Sequence, residues 1–188
     1  MGELIITEEE KKLIKLLYEQ QVTDEEKKNL PYLIEKAGYP KGSIEHTIAS
    51  FIGKKEGWFP GSRSFRNNNP GNLAGKNFTD IDPLVELEKA GLYAKFSNPI
   101  LGIKALVEKK IKNWSKGNMP VNPSNQKMIV QKRAGKPYEQ GKPPTVAQFF
   151  YTYAPPSEND TEKYIKDFIY SLGSNIDRNT IMIDLLST

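Results

Sequence analysis

Glu56 is the first residue whose type and position suggest chemistry. It ends an apolar-periodic segment, follows two lysines and precedes Gly57, Trp58 and Phe59. A carboxylate at a helix C-terminus faces the negative end of the helix dipole, which disfavours its ionisation. A neighbouring aromatic ring would remove water from the carboxyl and raise its pKa further. Such a group can act as a general acid near neutral pH, whereas an exposed helix-end glutamate is the simpler alternative.

A second segment is rich in asparagine. Four asparagines, Asn67, Asn68, Asn69 and Asn72, lie within six residues around a Pro-Gly dipeptide. Pro-Gly favours a tight turn, because proline fixes φ at one position and glycine accepts positive φ at the next. The amide groups can bond the turn's own backbone, or they can offer donors and acceptors to a polar ligand such as a sugar. The sequence favours neither alternative.

A third segment runs from Tyr151 to Thr161 and combines a helix end, a Pro-Pro stop and a new helix start. Asn159, Asp160 or Thr161 is the expected N-cap of the following helix. Ending one helix and starting the next explains most residues of this segment. Tyr153 is the exception, because a tyrosine at a helix end can offer its hydroxyl to a cleft.

Capping signals predict the helices that come before these residues. Thr7-x-x-Glu10 and Thr23-x-x-Glu26 are capping boxes, in which a hydroxyl and a carboxylate satisfy free N–H groups. They predict two short helices, and Pro31 must start or kink the second one.

Two further helices are predicted, one before and one after the asparagine-rich segment. Ser43 predicts the start of a third helix that Gly57 ends, which places Glu56 in its last turn. Residues 57–97 are rich in Gly, Pro, Ser and Asn and predict a loop with a small irregular hairpin. Pro99 predicts the first turn of a strong helix. Its expected apolar side consists of Ile100, Ile103, Val107, Ile111 and Trp114.

The sequence after Trp114 predicts further helices. Residues 115–144 form a surface excursion with a short helix near Gln126 to Lys132. Further helices are expected at Thr145 to Ala154, Asp160 to Leu172 and Ile181 to Leu186. The predicted fold class is therefore α+β, mainly helical with a small irregular β-hairpin.

Composition excludes several kinds of chemistry. The 188 residues include no cysteine and one histidine, His46, so thiol nucleophiles, disulfides and multi-histidine metal sites are impossible. No signal peptide and no membrane insertion are expected. Residues 61–142 carry 15 basic and 6 acidic side chains, which indicates an anionic partner or a solvated surface. Nucleic acid is not the expected partner, because these cations are mostly lysine and no recognition motif is present.

Two motif blocks together resemble bacteriophage-associated peptidoglycan glycosidases of the lysozyme superfamily. Glu56 closes a helix, residues 66–73 read Arg-Asn-Asn-Asn-Pro-Gly-Asn-Leu, and residues 153–165 read Tyr-Ala-Pro-Pro-x-Glu-Asn-Asp-Thr-x-x-Tyr-Ile. The chain is more loosely similar to the bacterial glucosaminidase and lytic transglycosylase branches. The likeness covers about residues 43–172, so it leaves the N-terminal helices outside, and the 115–144 excursion interrupts it.

The resemblance implies a lysozyme-like fold and a role for each motif residue. Glu56 would be the general acid toward a β-1,4 glycosidic oxygen of peptidoglycan. Asn67, Asn69 and Asn72 would shape the wall of the sugar cleft, and Tyr153 would lie opposite. Neither a metal nor an organic cofactor is required.

The mechanism stays open at this point. A hydrolase, acting as a muramidase or a glucosaminidase, usually needs a second carboxylate. Asp80 and Asp82 are the candidates, although a loop carboxylate in water is the favoured interpretation of each. A lytic transglycosylase manages with one glutamate. The alternative function is a non-catalytic, lysozyme-like virion structural or glycan-binding protein.

The expected organisation is an N-terminal helical extension over residues 1–40 and a catalytic domain over residues 41–188, packed as one unit. Leu13, Leu16 and Leu17 of the extension are candidates for docking other virion proteins. The expected setting is that of a phage lysin, either an endolysin or a virion-associated enzyme. It would reside in the virion, or in the host cytoplasm before release to the periplasm and cell wall.

Overall fold

The computed structural model describes Thr7 and residues 22–89, 91–124, 127, 136–173 and 175–187. These residues form a mixed, mostly helical fold with one two-stranded antiparallel sheet. The predicted α+β class is confirmed at this level. The capping box at Thr7 to Glu10 and the short helix near Gln126 to Lys132 are predictions that lie outside the described residues.

The described elements are helical apart from one small sheet. In chain order they are α1 (Asp24–Lys28), α2 (Leu30–Lys36), α3 (Ile44–Lys55), α4 (Arg63–Arg66), β1 (Glu86–Leu87), β2 (Ala94–Lys95), α5 (Pro99–Lys104), α6 (Val146–Tyr153), α7 (Thr161–Leu172) and α8 (Met182–Leu185). The chain after α5 continues in π-helical turns over Ala105–Lys112 and Trp114–Asn118. We call residues 99–118 the central helix.

Several helix starts lie at the predicted capping residues. Thr23 and Glu26 exchange side-chain-to-backbone hydrogen bonds of 3.1 and 2.8 Å at the start of α1. The predicted second helix is in fact two helices, because Asn29 caps a new start at α2. Ser43 caps α3. Thr145 caps α6 through a second capping box.

The central helix lies at the middle of the core. The five apolar residues predicted for one of its sides are all buried. Helix α3 packs against the π-helical part and against α7, while α2 packs against both α3 and α5. Leu33 and Ile34 of α2 are fully buried in the same core, so α2, which falls within residues 1–40, shares a hydrophobic core with the elements that carry Glu56.

The predicted hairpin is present and very short. Glu86 pairs with Lys95 and Leu87 pairs with Ala94. An isolated bridge between Ala74 and Tyr93 ties the asparagine-rich turn to the hairpin. No described helix is both long and apolar enough to cross a bilayer.

Gly102 allows the asparagine turn to approach the central helix. A Cβ at this position would lie far inside van der Waals contact with the carbonyl oxygen of Asn68. We therefore expect Gly102→Ala to destabilise the protein by about 2 kcal/mol. An unhindered helical Gly→Ala change would instead stabilise it by up to about 1 kcal/mol.

Urea unfolding would measure this difference. Gly53→Ala in α3 is the matched control, because its added Cβ would meet a movable methyl group of Leu30 and not a backbone atom. Its effect should be smaller. A Gly102→Ala protein as stable as the parent would contradict the close packing.

Candidate active site

Three of the five sequence-predicted site residues, Glu56, Asn72 and Tyr153, lie in one open cleft. The cleft has a volume of about 600 Å³. It lies between the end of α3, the asparagine-rich turn, the hairpin, the central helix and the segment after α6. Its other lining residues are Arg63, Gly71, Leu73, Ala74, Leu92, Tyr93, Lys110, Trp114, Glu158 and Asn159.

Glu56 lies at the C-cap of α3, as predicted. Its backbone N–H still donates to the Ile52 carbonyl at 2.8 Å, and Gly57 then leaves the helix with a φ of 75°. The amide of Asn72 donates to the Glu56 backbone carbonyl at 3.1 Å and to Oε2 at 3.0 Å. The Tyr164 hydroxyl approaches Oε1 at 3.4 Å. The side chain is therefore half-buried and held at both oxygens.

Burial raises the pKa of Glu56 above its usual value. Hydrogen bonds from Asn72 and Tyr164 and the charge of Arg63 act in the opposite direction, but burial has the larger effect. Lys55 does not contribute to this balance, because it pairs with Asp167 on α7. Burial, together with the neighbouring Glu56 charge, raises the pKa of Tyr164, so its hydroxyl remains a donor.

The aromatic environment of Glu56 differs from the sequence expectation. Trp58 packs against Phe65 and donates its indole N–H to the Lys27 carbonyl at 3.0 Å, so it is not among the residues that line the cleft. The tryptophan that lines the cleft is Trp114 of the central helix.

Asn72 positions the acid through an unusual backbone conformation. Its φ of 44° is in the left-handed region, which asparagine tolerates better than most residues. This conformation turns the amide back toward Glu56. Its Oδ1 accepts a 3.4 Å hydrogen bond from Nε of Arg63. Asn72 therefore links the carboxyl to a cation of the same cleft.

Asn67 and Asn69 lie behind the cleft wall. Asn69 is fully buried; its Nδ2 donates to the carbonyls of Leu73 and Ala94, and its Oδ1 accepts from the Leu73 N–H. Asn67 is also buried and donates to Glu88 Oε2 at 3.1 Å. Neither side chain is among those that line the cleft, so the structure does not place these two predicted residues at the cleft surface. Their amides hold the turn and the hairpin behind it.

Tyr153 lines the cleft at the end of α6, and its hydroxyl is already engaged. It donates to the Gly71 carbonyl at 2.6 Å, and its ring stacks on Phe149. Burial raises the pKa of Tyr153 well above its usual value. It is therefore a neutral wall residue that also holds the Pro-Gly turn in place.

The two predicted second carboxylates point elsewhere. Asp82 is fully buried and accepts backbone hydrogen bonds from Leu84 at 2.9 Å and Ser97 at 2.6 Å. Asp80 forms an exposed ion pair with Lys109 and lines a separate pocket. Neither residue is among those that line the Glu56 cleft.

Asp80→Asn should therefore leave any activity of the Glu56 cleft within about twofold of the parent protein. An exposed ion pair contributes little, so the free energy of unfolding should change by less than about 1 kcal/mol. Parallel activity and urea measurements would check both values. A hundredfold loss of activity in a folded variant would return Asp80 to the mechanism.

The second carboxylate of the cleft is Glu158 among the described lining residues. It is exposed and follows the Pro-Pro segment after α6, next to Asn159. The sequence block that contains both residues predicts a helix stop and restart. That block does supply the N-cap, since Asp160 accepts from the Lys163 N–H at 3.1 Å.

Sequence reasoning gave no site role to five further residues, of which four line the cleft and one, Tyr164, contacts Glu56. The sequence places Trp114 only on an apolar helix side, and it places Tyr164 in a helix and in the second motif block without a role for its hydroxyl. Arg63, Tyr93 and Lys110 carry no local motif. Their arrangement depends on three elements meeting in space, and no sequence spacing encodes that meeting.

A metal site is not evident among the described residues, where no group of three His, Asp or Glu side chains comes together. His46 is buried on α3 and lies 3.3 Å from the Pro31 carbonyl through Nε2. It is absent from the cleft lining. Comparison of the chain with family models, curated proteins and solved structures gave no match.

Proposed function

We propose that this chain is a lysozyme-like glycosidase that cleaves the β-1,4 glycan backbone of peptidoglycan. The observation that carries the proposal is Glu56, a half-buried carboxyl with a raised pKa at the wall of an open cleft. Raised carboxyl pKa values in clefts are typical of general acids. The sequence resemblance supplies the substrate class.

The cleft lining suits a sugar chain. It combines aromatic rings at Tyr93, Trp114 and Tyr153 with amides at Asn72 and Asn159. Sugar rings have apolar faces and polar rims, so a binding site for them needs both kinds of group. An open cleft also admits a polymer, which an enclosed pocket would not.

The first chemical step follows from the contacts of Glu56. Asn72 donates to Oε2 at 3.0 Å, and the Tyr164 hydroxyl makes only a longer 3.4 Å contact with Oε1, so we place the proton on Oε1. That proton passes to the glycosidic oxygen, the bond from this oxygen to C1 breaks, and the leaving sugar departs as an alcohol. The sugar at C1 becomes oxocarbenium-like.

The second step has two forms with different products. Water can attack C1 and give a reducing end, with ionised Glu56 accepting the proton that water loses. The 6-hydroxyl of the same sugar can attack instead and give an anhydro end, again returning a proton to Glu56. The second form needs no other carboxylate, which suits a cleft where Glu158 is exposed and neither Asp80 nor Asp82 contributes to the lining.

The biological setting follows from the resemblance alone. We propose a phage lysin, either released at lysis or carried in the virion, that acts on the bacterial cell wall. The N-terminal segment would then contact other virion proteins. Its residues Leu13, Leu16 and Leu17 lie outside the described residues.

Purified peptidoglycan sacculi provide the test. The protein and its Glu56→Gln variant would be incubated with sacculi, and the released fragments would be identified by mass. We expect fragments with new glycan ends from the parent protein only. Reducing ends would indicate a hydrolase and anhydro ends a transglycosylase, and the terminal sugar would name the bond.

Two results would overturn the proposal. Release of peptides without new glycan ends would indicate a different bond and a different chemistry. Co-sedimentation of both proteins with sacculi from several wall types, without any release, would favour a glycan-binding module.

A further inference from the structure

Among the described residues, two cations of the cleft form no ion pair with a carboxylate, unlike their neighbours on the central helix. Lys109 and Lys112 on the central helix pair with Asp80 and Glu108 respectively. Lys110 lies between them and lines the Glu56 cleft. The ion pairs found among the described residues include neither Lys110 nor Arg63.

Both cations are held in place by aromatic rings. The Arg63 guanidinium lies 3.6 Å from the ring centroid of Tyr93, and its Nε donates to Asn72. The Lys110 ammonium lies 4.3 Å from the ring centroid of Trp114. Cation–π contacts orient these groups without neutralising their charge. The positive charges are therefore fixed and available to a ligand.

Lys110 also has a desolvation cost that an anion would offset. Burial lowers the pKa of Lys110, and no carboxylate opposes this shift. A half-buried ammonium without a counter-charge is unfavourable, whereas a paired and hydrogen-bonded one is not. The cation is thus placed where a ligand carboxylate would restore the missing partner.

We propose that Arg63 and Lys110 form an anion subsite that binds a carboxylate of the glycan strand. This inference rests on the proposed function and deepens it. Alternate sugars of peptidoglycan carry a lactyl group, which ends in a free carboxylate when the stem peptide is removed. Stem peptides carry further carboxylates. Polymers of N-acetylglucosamine alone carry none, so the subsite would discriminate against them.

The subsite also links recognition to the acid. The charge of Arg63 lowers the pKa of Glu56, which opposes the effect of burial. A substrate carboxylate bound to Arg63 would offset that charge, so the Glu56 pKa would rise when the correct substrate binds. The other ionisable groups of the cleft and its wall are Lys110, Glu158, Tyr93, Tyr153 and Tyr164.

Binding measurements with three oligosaccharides would test the subsite. The Glu56→Gln protein would be titrated with a muramic-acid-containing tetrasaccharide, with the same sugar bearing stem peptides, and with an N-acetylglucosamine tetramer. We expect the peptide-free muramic acid sugar to bind at least about tenfold more tightly than the uncharged tetramer. Tighter binding only of the peptide-bearing form would place the recognised carboxylate on the peptide and not on the lactyl group.

Arg63→Gln and Lys110→Gln should each reduce binding of the anionic sugars about tenfold and leave the uncharged tetramer unchanged. Lys110→Arg should restore most of the loss, which a merely structural lysine would not explain. Lys109→Gln is the matched control and should have no effect on any of the three. Equal losses for charged and uncharged sugars, or the same losses in Lys109→Gln, would overturn the subsite.

The Arg63→Gln change has a second readout in a cleaving protein. Removing this positive charge should raise the Glu56 pKa, so the alkaline limb of kcat/KM should move to higher pH. An unmoved limb would contradict the link between Arg63 and the acid. Charge discrimination in binding without any cleavage would keep the subsite and reject the glycosidase. Cleavage without discrimination would do the reverse.

Discussion

Replacing Glu56 with glutamine is expected to lower the rate of glycan release by about 10²–10⁴-fold. This is the usual contribution of a general acid. Glutamine preserves the local contacts, since its amide oxygen can accept from Asn72 and its amide nitrogen can donate to the Tyr164 hydroxyl. The loss would therefore report the missing proton and not a changed fold. Initial rates of fragment release from sacculi measure it.

The pH dependence of the parent protein's activity follows from the ionisation of Glu56. Because burial raises the pKa of Glu56, the protonated acid persists above the range of ordinary glutamates. Activity should fall on the alkaline side as pH rises through that pKa, by about tenfold per pH unit once the group is mainly ionised. The residual rate of Glu56→Gln should lack this limb.

Glu56→Gln should lower activity but should make the protein relatively more stable at alkaline pH. An unfolded glutamate ionises near pH 4.3, at about its ordinary pKa, whereas folded Glu56 ionises at higher pH. The stability that the raised pKa reports is complete below the unfolded pKa and is lost as pH rises through the folded pKa. Glu56→Gln should therefore be more stable than the parent at pH 8, relative to pH 4.

Glu158→Gln is the matched control in the same cleft. Its parent side chain is exposed and accepts none of the hydrogen bonds found among the described residues. We expect activity within a few-fold of the parent protein. A loss in Glu158→Gln as large as in Glu56→Gln would indicate a two-carboxylate hydrolase. An active Glu56→Gln protein would remove Glu56 from the mechanism.

Local signals were sufficient to predict most of the helices. Helix caps such as Ser43 and Thr145 satisfy free N–H groups within three residues, so their effect can be recognised from neighbouring residue types alone. The end of α3 is also set locally, because the positive φ of Gly57 ends this helix immediately after Glu56. The position of the candidate acid at a helix end was therefore predictable.

Longer-range properties of the site were not predictable in the same way. The burial of Asp82 depends on Leu84 and Ser97, two backbone N–H groups from opposite sides of the hairpin. Asp80 and Asp82 have the same type and nearly the same position in sequence, yet one is exposed and the other fully buried. The residue type makes both aspartates candidates for a second carboxylate, but it does not predict which atoms surround each side chain.

The π-helical course of the central helix is a further property that no local pattern predicted. Lys110 and Trp114 both lie in these turns and reach the same cleft. A π-helical turn contains more residues than an α-helical turn, so the faces presented by residues 105–118 differ from those of a regular helix. Apolar spacing correctly identified Trp114 as buried but did not place it in the cleft that Glu56 lines.

The asparagine turn provides the largest expected loss of stability. Asn69→Ala should lower the free energy of unfolding by about 3–5 kcal/mol, because it removes three buried hydrogen bonds and leaves the Leu73 N–H and the Ala94 carbonyl to find other partners, while the Leu73 carbonyl keeps its bond from the Ala94 N–H. A chain of this length should then lose roughly 10 °C in Tm. Calorimetry and urea unfolding measure both values.

Asn72→Gly is the matched comparison within the same turn. Glycine accepts the positive φ of this position, so the change removes the amide that holds Glu56 without straining the backbone. It should lower the free energy of unfolding by about 1 kcal/mol. The rate of glycan release should fall far more than this small loss of stability would explain. Asn69 would then be the residue that holds the turn, and Asn72 the one that positions the acid. Equal stability losses in the two variants would contradict this division.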